Sequence, residues 1–268
     1  MIAVTARMDR SECLSMTSSP MNSDSNCELF PTREQVVKCH RIELPKFGRE
    51  PVATGGSETV ASAVEAYKSL RARLMKARES RAISSIVITG TAKSEGKTLT
   101  AFNLAYCCAQ LEDTPVLLVD ADLRTQGLTI LTKNHEQLGL RNVLGDGVPY
   151  ADAVAATDVP NLYLMGAGSG TASPAELLSG SGWSQFMAWA SESFRFVLID
   201  SPPIGVVADL NLIEAGCDGS LIVVRAHRTT ERALEDALGQ IDCKKVLGAI
   251  WNEDTKSPEG YSYSYRKE

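Results

Sequence analysis

The stretch Gly90-Thr-Ala-Lys-Ser-Glu-Gly96-Lys97-Thr98 follows a short apolar run, Ser85–Thr89, and precedes a segment with helical periodicity. Proteins hold phosphate with closely approaching backbone N–H groups, the positive end of a helix and a mobile cation. Gly96 lets the backbone approach, Lys97 can reach the outer phosphates, and Thr98 offers a hydroxyl to Mg²⁺. The order of strand, loop and helix therefore predicts a nucleotide-binding phosphate loop.

The spacing of this loop departs by one residue from the common pattern G-x-x-x-x-G-K-[ST], because Gly90 lies one position early. A lone Gly-Lys-Thr after a strand can arise by chance, so the prediction needs support from elsewhere in the chain. The loop residues that we expect to contact the nucleotide are Ser94, Glu95, Gly96, Lys97, Thr98 and Leu99.

Acidic residues supply that support at the ends of two further apolar runs. Asp120 and Asp122 follow Val116–Val119, and Asp200 follows Phe196–Ile199. One such Asp alone is more often a helix cap or a loop residue. Three of them, downstream of a phosphate loop, would meet at the carboxyl edge of a parallel sheet, where ligands bind. Hard oxygen ligands suit Mg²⁺. The predicted metal ligands are Thr98, Asp122 and Asp200.

The remaining pattern predicts an α/β fold with a doubly wound, mostly parallel sheet and helices on both faces. The apolar runs are nearly continuous rather than alternating, as expected when both faces of a sheet are covered. The predicted strands are Ser85–Thr89, Val116–Val119, Asn161–Met165, Phe196–Ile199, Leu221–Val224 and Val246–Ile250. We expect an irregular N-terminal arm over residues 1–56, one domain over 57–253 and a flexible tail over 254–268.

The composition excludes several classes of function. The chain has 268 residues, 44% of them hydrophobic, and a net charge of −6, which argues against a chain-wide nucleic-acid footprint. Its seven cysteines form no C-x-x-C pair and are expected to be reduced thiols. Neither a signal pattern nor an apolar run of about 18 residues is present. We therefore expect a cytoplasmic chain that reaches the membrane only through a partner.

Three tyrosines near the C-terminus alternate with serines: Tyr261, Tyr263 and Tyr265. An edge strand with aromatic residues at period 2 is one interpretation. A turn signal at Pro258–Gly260 precedes the segment, and the segment lacks aliphatic residues, so an accessible tail is the favoured interpretation.

The three acid- and glycine-bearing segments resemble the Walker A, Walker A′ and Walker B motifs of bacterial tyrosine autokinases, the P-loop kinases of capsule and exopolysaccharide export. These segments are Thr89–Thr98, Val116–Arg124 and Phe196–Pro203. Four further segments also read like family segments in family order: Val64–Arg71, Gly139–Leu144, Pro160–Leu164 and Ser173–Leu178.

The resemblance implies an ATP- and Mg²⁺-dependent kinase that phosphorylates its own tail, between subunits. The implied catalytic residues are Lys97, Asp120, Asp122 and Asp200, with Asp120 as base or as the group that orients the phenol. The implied phosphoacceptors are Tyr261, Tyr263 and Tyr265. Asn252, directly after the last strand, lies where related ATPases place an adenine contact. The competing hypothesis is an ATP-switched, partition-type ATPase or binding protein, but Ala92 occupies the place of the extra lysine usual in partition ATPases.

The resemblance also implies partners. The first predicted helix carries Glu65, Lys68 and Arg71 at the positions of the family's E-x-x-R-x-x-R pattern, which contacts neighbouring subunits in a ring. Lysine replaces the central arginine and lacks its planar fork; a solvated charged face is the alternative interpretation. Further implied partners are a separate membrane chain-length regulator, or polysaccharide copolymerase, that activates the kinase at the inner face of the membrane, and a tyrosine phosphatase.

Overall fold

One sheet organises the chain in the computed structural model, which describes residues 3–5, 40–42, 44, 57–134 and 137–253. The strands among these residues are β1 (Ala3–Thr5), β2 (His40–Ile42), β3 (Ser85–Gly90), β4 (Val116–Asp120), β5 (Ala155–Thr157), β6 (Leu162–Met165), β7 (Phe196–Asp200), β8 (Gly219–Arg225) and β9 (Val246–Asn252). Their order across the sheet is β1-β9-β8-β3-β7-β4-β6-β5-β2.

Helices connect the strands and cover the sheet. Those in the described part of the chain are α1 (Ser57–Arg81), α2 (Lys97–Ala109), α3 (Gly127–Leu131), α4 (Leu140–Asp146), α5 (Tyr150–Ala153), α6 (Pro174–Ser179), α7 (Ser181–Ser193), α8 (Asp209–Ala215) and α9 (Glu231–Leu238). No helix of these residues combines the length and apolar character that crossing a bilayer requires.

The central strands are parallel and buried on both faces, as the continuous apolar runs predicted. β9, β8, β3, β7, β4 and β6 pair in parallel. Successive residues of β4 alternate between two cores: Leu117 and Val119 face one, and Val116 and Leu118 face the other. One core contains Phe186 of α7, and the other contains aromatic and aliphatic residues of α1 and α2. The prediction of a doubly wound α/β fold is therefore confirmed.

Helix α1 packs against α2, the helix that follows the phosphate loop. Tyr67, Leu70 and Leu74 are buried, as expected from their spacing on one helical face. On the adjoining side, Arg71 donates from Nη1 to the carbonyl oxygen of Cys107, 2.7 Å away, near the end of α2. The position of the phosphate-loop helix is thus supported from behind by both apolar and polar contacts.

The two outermost strands, β1 and β2, come from the N-terminal arm, where the sequence analysis had no strand. β1 pairs antiparallel with β9, and β2 pairs parallel with β5, which itself runs antiparallel to β6. Each has three residues, too few for an alternation to be recognised in the sequence. The predicted tail, residues 254–268, lies outside the described residues.

A single carboxylate joins the start of β3 to the start of β8. Asp218 Oδ2 accepts hydrogen bonds from the backbone N–H and the hydroxyl of both Ser84 and Ser85, at 2.8–3.0 Å. Burial acts to raise the pKa of Asp218, but these hydrogen bonds outweigh it and hold the pKa below its ordinary value. A carboxyl with a lowered pKa stabilises the fold above the pKa of the unfolded chain, and this stabilisation is lost as the pH falls.

We predict that Asp218→Ala lowers the free energy of unfolding at about pH 7 by on the order of 1 kcal/mol, a value reduced for the partial exposure of the site. The loss should be smaller at about pH 3, where the wild-type carboxyl becomes protonated. Urea denaturation of both proteins at the two pH values measures the difference. An equal loss at both would contradict the role given to the ionised carboxylate.

Candidate active site

The phosphate loop runs from the end of β3 to the start of α2, and Gly96 is the residue before that helix. Its φ of 92° lies in the left-handed region that favours glycine. A side chain there would also meet Asn252, because an added Cβ would lie 2.1 Å from Asn252 Nδ2. That amide donates a 2.9 Å hydrogen bond to the carbonyl oxygen of Glu95. The end of β9 is thus in direct contact with the phosphate loop, and the adenine contact expected of Asn252 stays a prediction.

The early glycine in the loop has a physical reason. A Cβ on Gly90 would lie 2.5 Å from Glu95 Oε2 and 2.6 Å from the carbonyl oxygen of Val223 on β8. The loop folds back so that the Glu95 carboxylate sits against the end of β3. Gly90 is therefore required by this close approach, and the departure from the common spacing reflects an acidic side chain inside the loop.

Glu95 is buried, and each of its carboxylate oxygens accepts hydrogen bonds. Oε1 accepts from the hydroxyls of Thr91 and Thr229, both at 2.6 Å, and Oε2 accepts from the N–H of Ala92 at 2.8 Å. The sequence placed Glu95 among the nucleotide contacts, but in this structure its carboxylate organises the loop itself. Thr229, on the β8–α9 connection, was not predicted at all.

Lys97 is buried at the first position of α2, with its side chain inside the loop. Its Nζ donates to the carbonyl oxygen of Ala92, 2.7 Å away. Burial lowers the pKa of Lys97, and the nearby carboxylates of Asp200 and Glu95 act in the opposite direction. The ammonium group is therefore held at the phosphate loop by its hydrogen bond to Ala92 and by the nearby carboxylates, where it can meet an entering anion.

Thr98 and Asp200 meet across the site. The Thr98 hydroxyl donates to Asp200 Oδ2 at 2.7 Å, and Asp200 is almost completely buried at the end of β7. Burial raises the pKa of Asp200 well above its ordinary value, and the neighbouring Asp120 raises it further. The hydroxyl and the carboxylate are hard oxygen donors of the kind that Mg²⁺ prefers. Their role as metal ligands stays a prediction.

Asp120 lies beside Asp200, because the two end neighbouring strands and are paired in register. Its Oδ2 accepts from the backbone N–H and the hydroxyl of Thr129, at 2.7 and 2.6 Å. Its Oδ1 is buried and has no hydrogen-bond partner among the described residues. Burial raises the pKa of Asp120 to about 6, and the bonds from Thr129 act against it. Two acidic groups thus share a site that is buried from solvent.

The third predicted acid, Asp122, is only partly buried and has a different environment. Its Oδ1 accepts from the backbone N–H of Thr125 at 3.0 Å, which fixes the turn after β4. The same turn carries Arg124, which the sequence analysis did not single out. Arg124 donates from Nε and Nη2 to the two carboxylate oxygens of the buried Asp209, at 2.7 and 3.2 Å. This bidentate pair ties the turn to the start of α8.

The donor set fits a nucleotide with its magnesium ion. The orphaned Oδ1 of Asp120 and the buried Asp200 carboxylate are groups that a cation would stabilise, and Lys97 is placed for phosphate. The described residues contain no group of three acidic, His or Cys side chains able to hold a metal alone. Magnesium that arrives with a nucleotide takes further oxygen ligands from phosphate and water.

The other predicted site residues lie at the margin of this centre or away from it. Ser94 is exposed in the loop, with φ of 61°, and Leu99 is partly buried in α2. On α1, Lys68 pairs with Glu65 of its own helix at 2.7 Å. The predicted interface residue Arg71 is bound within the chain, as described above. The three tail tyrosines fall outside the described residues.

Comparison with known proteins decides the family. A family described as "AAA domain" matches residues 84–245, which include the phosphate loop and all three acids. Tyrosine-protein kinase YwqD of Bacillus subtilis (strain 168) is 36% identical over 191 residues, covering 70% of this chain and 80% of YwqD. The chain belongs to the bacterial tyrosine-protein kinase family. It is thus assigned to a family of P-loop enzymes, as the three motifs had indicated.

Two further similarities agree with this assignment. Tyrosine-protein kinase ptk of Acinetobacter johnsonii is 33% identical over 201 residues, which are 74% of this chain but only 27% of ptk. The kinase domain of the Escherichia coli tyrosine kinase ETK superposes with a TM-score of 0.68 at 25% identity, covering 85% of this chain and 94% of that domain. The chain therefore corresponds to the kinase domain within the larger family members.

The buried Asp120 carboxylate should cost the protein stability. Because its pKa is raised to about 6, the folded state holds a proton that the unfolded chain has released, and stability falls as the pH rises from about 4 to about 6. We predict that Asp120→Asn raises the free energy of unfolding of the nucleotide-free protein at about pH 7 by on the order of 1–3 kcal/mol. Below about pH 4 the two proteins should be equally stable.

Thermal or urea denaturation across this pH range measures the effect. Asp122→Asn is the matched control, because Asp122 is only partly buried and an Asn oxygen can still accept from Thr125. This substitution should change the free energy of unfolding by less than about 0.5 kcal/mol. A destabilised Asp120→Asn protein at neutral pH would contradict the prediction.

Proposed function

We propose that the chain is an ATP-dependent protein-tyrosine autokinase that phosphorylates its own C-terminal tyrosines and thereby regulates exopolysaccharide or capsule synthesis or export. The observation that carries the proposal is the convergence of Lys97, Thr98, Asp120 and Asp200 at one edge of the sheet, in a chain of the tyrosine-protein kinase family. A tail with three tyrosines follows in the same chain.

ATP supplies the phosphoryl group, and Mg²⁺ neutralises negative charge on the phosphates when both are bound. Thr98 and Asp200 are the ligands on this chain for the ion, directly or through water, and Asp122 stands at the outer side. Lys97 stabilises charge that develops on the transferred group. The tyrosine hydroxyl forms its bond to phosphorus as the bond to ADP breaks.

Asp120 is the proposed base, or the group that orients the phenol. A phenol ordinarily has a pKa near 10, so its proton must leave as the oxygen attacks. Asp120 Oδ2 is committed to Thr129, whereas Oδ1 has no partner among the described residues and remains available to take a proton. Its pKa of about 6 is close to the value at which a carboxylate is both ionised at neutral pH and a useful base.

The proposed acceptors begin a short distance along the chain from the site. The described chain ends at Glu253, next to Asn252, whose amide contacts the phosphate loop. Tyr261 is the eighth residue after Glu253, so at most about 29 Å of extended chain joins their Cα atoms. This length lets the tail extend away from its own domain towards a neighbouring subunit.

We place the transfer between subunits of a homo-oligomer such as a ring, with α1 at the contact. Glu65 and Lys68 are exposed on that helix, whereas Arg71 would contribute mainly by supporting α2. Each phosphate adds about −1.5 to −2 of charge, so modified tails would repel one another and favour opening of the assembly. A membrane chain-length regulator as activator, and a tyrosine phosphatase as the opposing enzyme, complete the proposal.

The decisive experiment is phosphosite mass spectrometry on the full chain co-expressed with its candidate membrane partner. We predict phosphate on Tyr261, Tyr263 or Tyr265 that falls by at least about a hundredfold in Lys97→Met, because the loop loses its cation. Lys93→Met is the matched control, since Lys93 is an exposed lysine of the same loop. It should keep the modification.

An unmodified tail in a protein that binds both its partner and ATP would overturn the proposal and favour a nucleotide-controlled switch. A label that persists in Lys97→Met would indicate a contaminating kinase. Mixing a Lys97→Met protein with a wild-type chain whose three tail tyrosines are Phe then separates the two routes of transfer. Phosphate on the inactive chain establishes transfer between subunits.

A further inference from the structure

Thr229 connects the phosphate loop to a second loop of the site. It lies on the connection between β8 and α9, and its hydroxyl donates to Glu95 Oε1 at 2.6 Å. The same hydroxyl oxygen accepts from the backbone N–H of Arg225 at 3.0 Å. A hydroxyl has a single hydrogen, and the Arg225 N–H already points at its oxygen, so that hydrogen is directed at the carboxylate. The geometry of this bond is therefore fixed from both sides.

Glu95 is the point at which three elements of the site meet. Its carboxylate binds Thr91 and Ala92 within the phosphate loop and Thr229 on the β8–α9 connection, and its carbonyl oxygen accepts from Asn252 at the end of β9. It is 3% exposed, so these bonds lie in a region of low dielectric, where hydrogen bonds to a charged group are strong.

The backbone of Ala92 is held at both of its peptide groups as a result. Its N–H donates to Glu95 Oε2 at 2.8 Å, and its carbonyl oxygen accepts from Lys97 Nζ at 2.7 Å. The loop that must receive phosphate is thus kept in one conformation by an internal carboxylate. A preorganised loop loses less conformational freedom when the nucleotide binds.

The connected loops lie on one side of the phosphate loop. In the order of the sheet, β8 and then β9 lie next to β3 on this side. Ligands of such sheets bind beyond the carboxyl ends of the strands. The β8–α9 connection exposes His227 and Arg228 there, and Asn252 lies beside Gly96. A nucleotide that extended from the phosphate loop towards this side would meet these residues.

We propose that Thr229 is a positioning residue for the nucleotide: through its hydrogen bond to Glu95 it joins the phosphate loop to the β8–α9 connection. The inference rests on the nucleotide binding of the proposed function, but not on transfer to tyrosine. Without the hydroxyl, the β8–α9 connection loses its hydrogen bond to Glu95, and nucleotide binding has to order the two segments.

Three variants test this role. Thr229→Val keeps the side-chain shape and removes the hydroxyl, whereas Thr229→Ser keeps the hydroxyl. Thr230→Val is the matched control, because Thr230 is the adjacent threonine. Its hydroxyl caps α9 by accepting from Ala233 N at 3.2 Å. Within the described part of the chain it makes no hydrogen bond to the phosphate loop. The control also removes a side-chain hydrogen bond from the same segment.

The dissociation constant of Mg·ADP, measured by calorimetry on the full chain, is the primary readout. We predict an approximately tenfold rise for Thr229→Val, equivalent to about 1.4 kcal/mol, which is of the size expected for a hydrogen bond to a charged group. Thr229→Ser should stay within about threefold of wild type. Thr230→Val should lower the melting temperature and leave the dissociation constant unchanged. In phosphotransfer assays, Thr229→Val should raise KM for ATP about tenfold and change kcat less than about twofold.

A double-mutant cycle with Glu95→Gln separates coupling from general damage. Gln cannot accept from the Ala92 N–H and from both hydroxyls at once, so this variant also weakens binding. If Thr229 acts through Glu95, Thr229→Val has little further effect in the Glu95→Gln protein. The same tenfold loss in both backgrounds would overturn the inference, as would an ADP affinity unchanged by Thr229→Val or equally reduced by Thr230→Val.

Failure of the two proposals is distinguishable. A wild-type chain that binds Mg·ADP but never labels its tail refutes the autokinase, while the comparison of the Thr229 and Thr230 variants still decides the role of Thr229. A tail that is labelled normally in a Thr229→Val protein with wild-type KM refutes the positioning role and leaves the autokinase intact.

Discussion

Two carboxylates, Asp120 and Asp200, end neighbouring parallel strands at the same level of the sheet. Burial raises the pKa of both and so disfavours their charged forms. The fold forces this proximity, because in-register pairing of β4 with β7 brings their last residues together. Thr129 and Thr98 each donate to one carboxylate oxygen, which does not offset the cost of ionising both buried groups. A cation bound beside them would favour the ionised carboxylates.

The phosphate loop solves a different problem, that of holding a flexible glycine-containing segment ready for an anion. Many phosphate sites rely on backbone N–H groups alone. Here a buried acid inside the loop binds two hydroxyls and a backbone N–H, and Lys97 stands close enough to balance its charge. These bonds hold the loop in one conformation. They also engage the N–H of Ala92, which is then not free to bind phosphate.

The sequence sufficed for the central sheet, the phosphate loop and the three acids, because continuous apolar runs and short local motifs encode them. Thr229 could not be found in this way: it bonds to Glu95 across 134 positions, and a threonine before a helix is ordinarily just a cap. The Arg124–Asp209 pair likewise depends on where the turn after β4 meets α8. Strands β1 and β2 were invisible because three residues show no periodicity. Gly90 looked like a spacing error until its approach to Glu95 explained it.

Short strands from the N-terminal arm form both edges of the sheet. β1 pairs with β9 at one edge, and β2 pairs with β5 at the other. An open edge exposes unpaired N–H and carbonyl groups and is a template for association between chains. If the arm were trimmed, β9 would be left open along the same strand that carries Asn252. Self-association at that edge and disturbance of the nucleotide site would then be two results of one deletion.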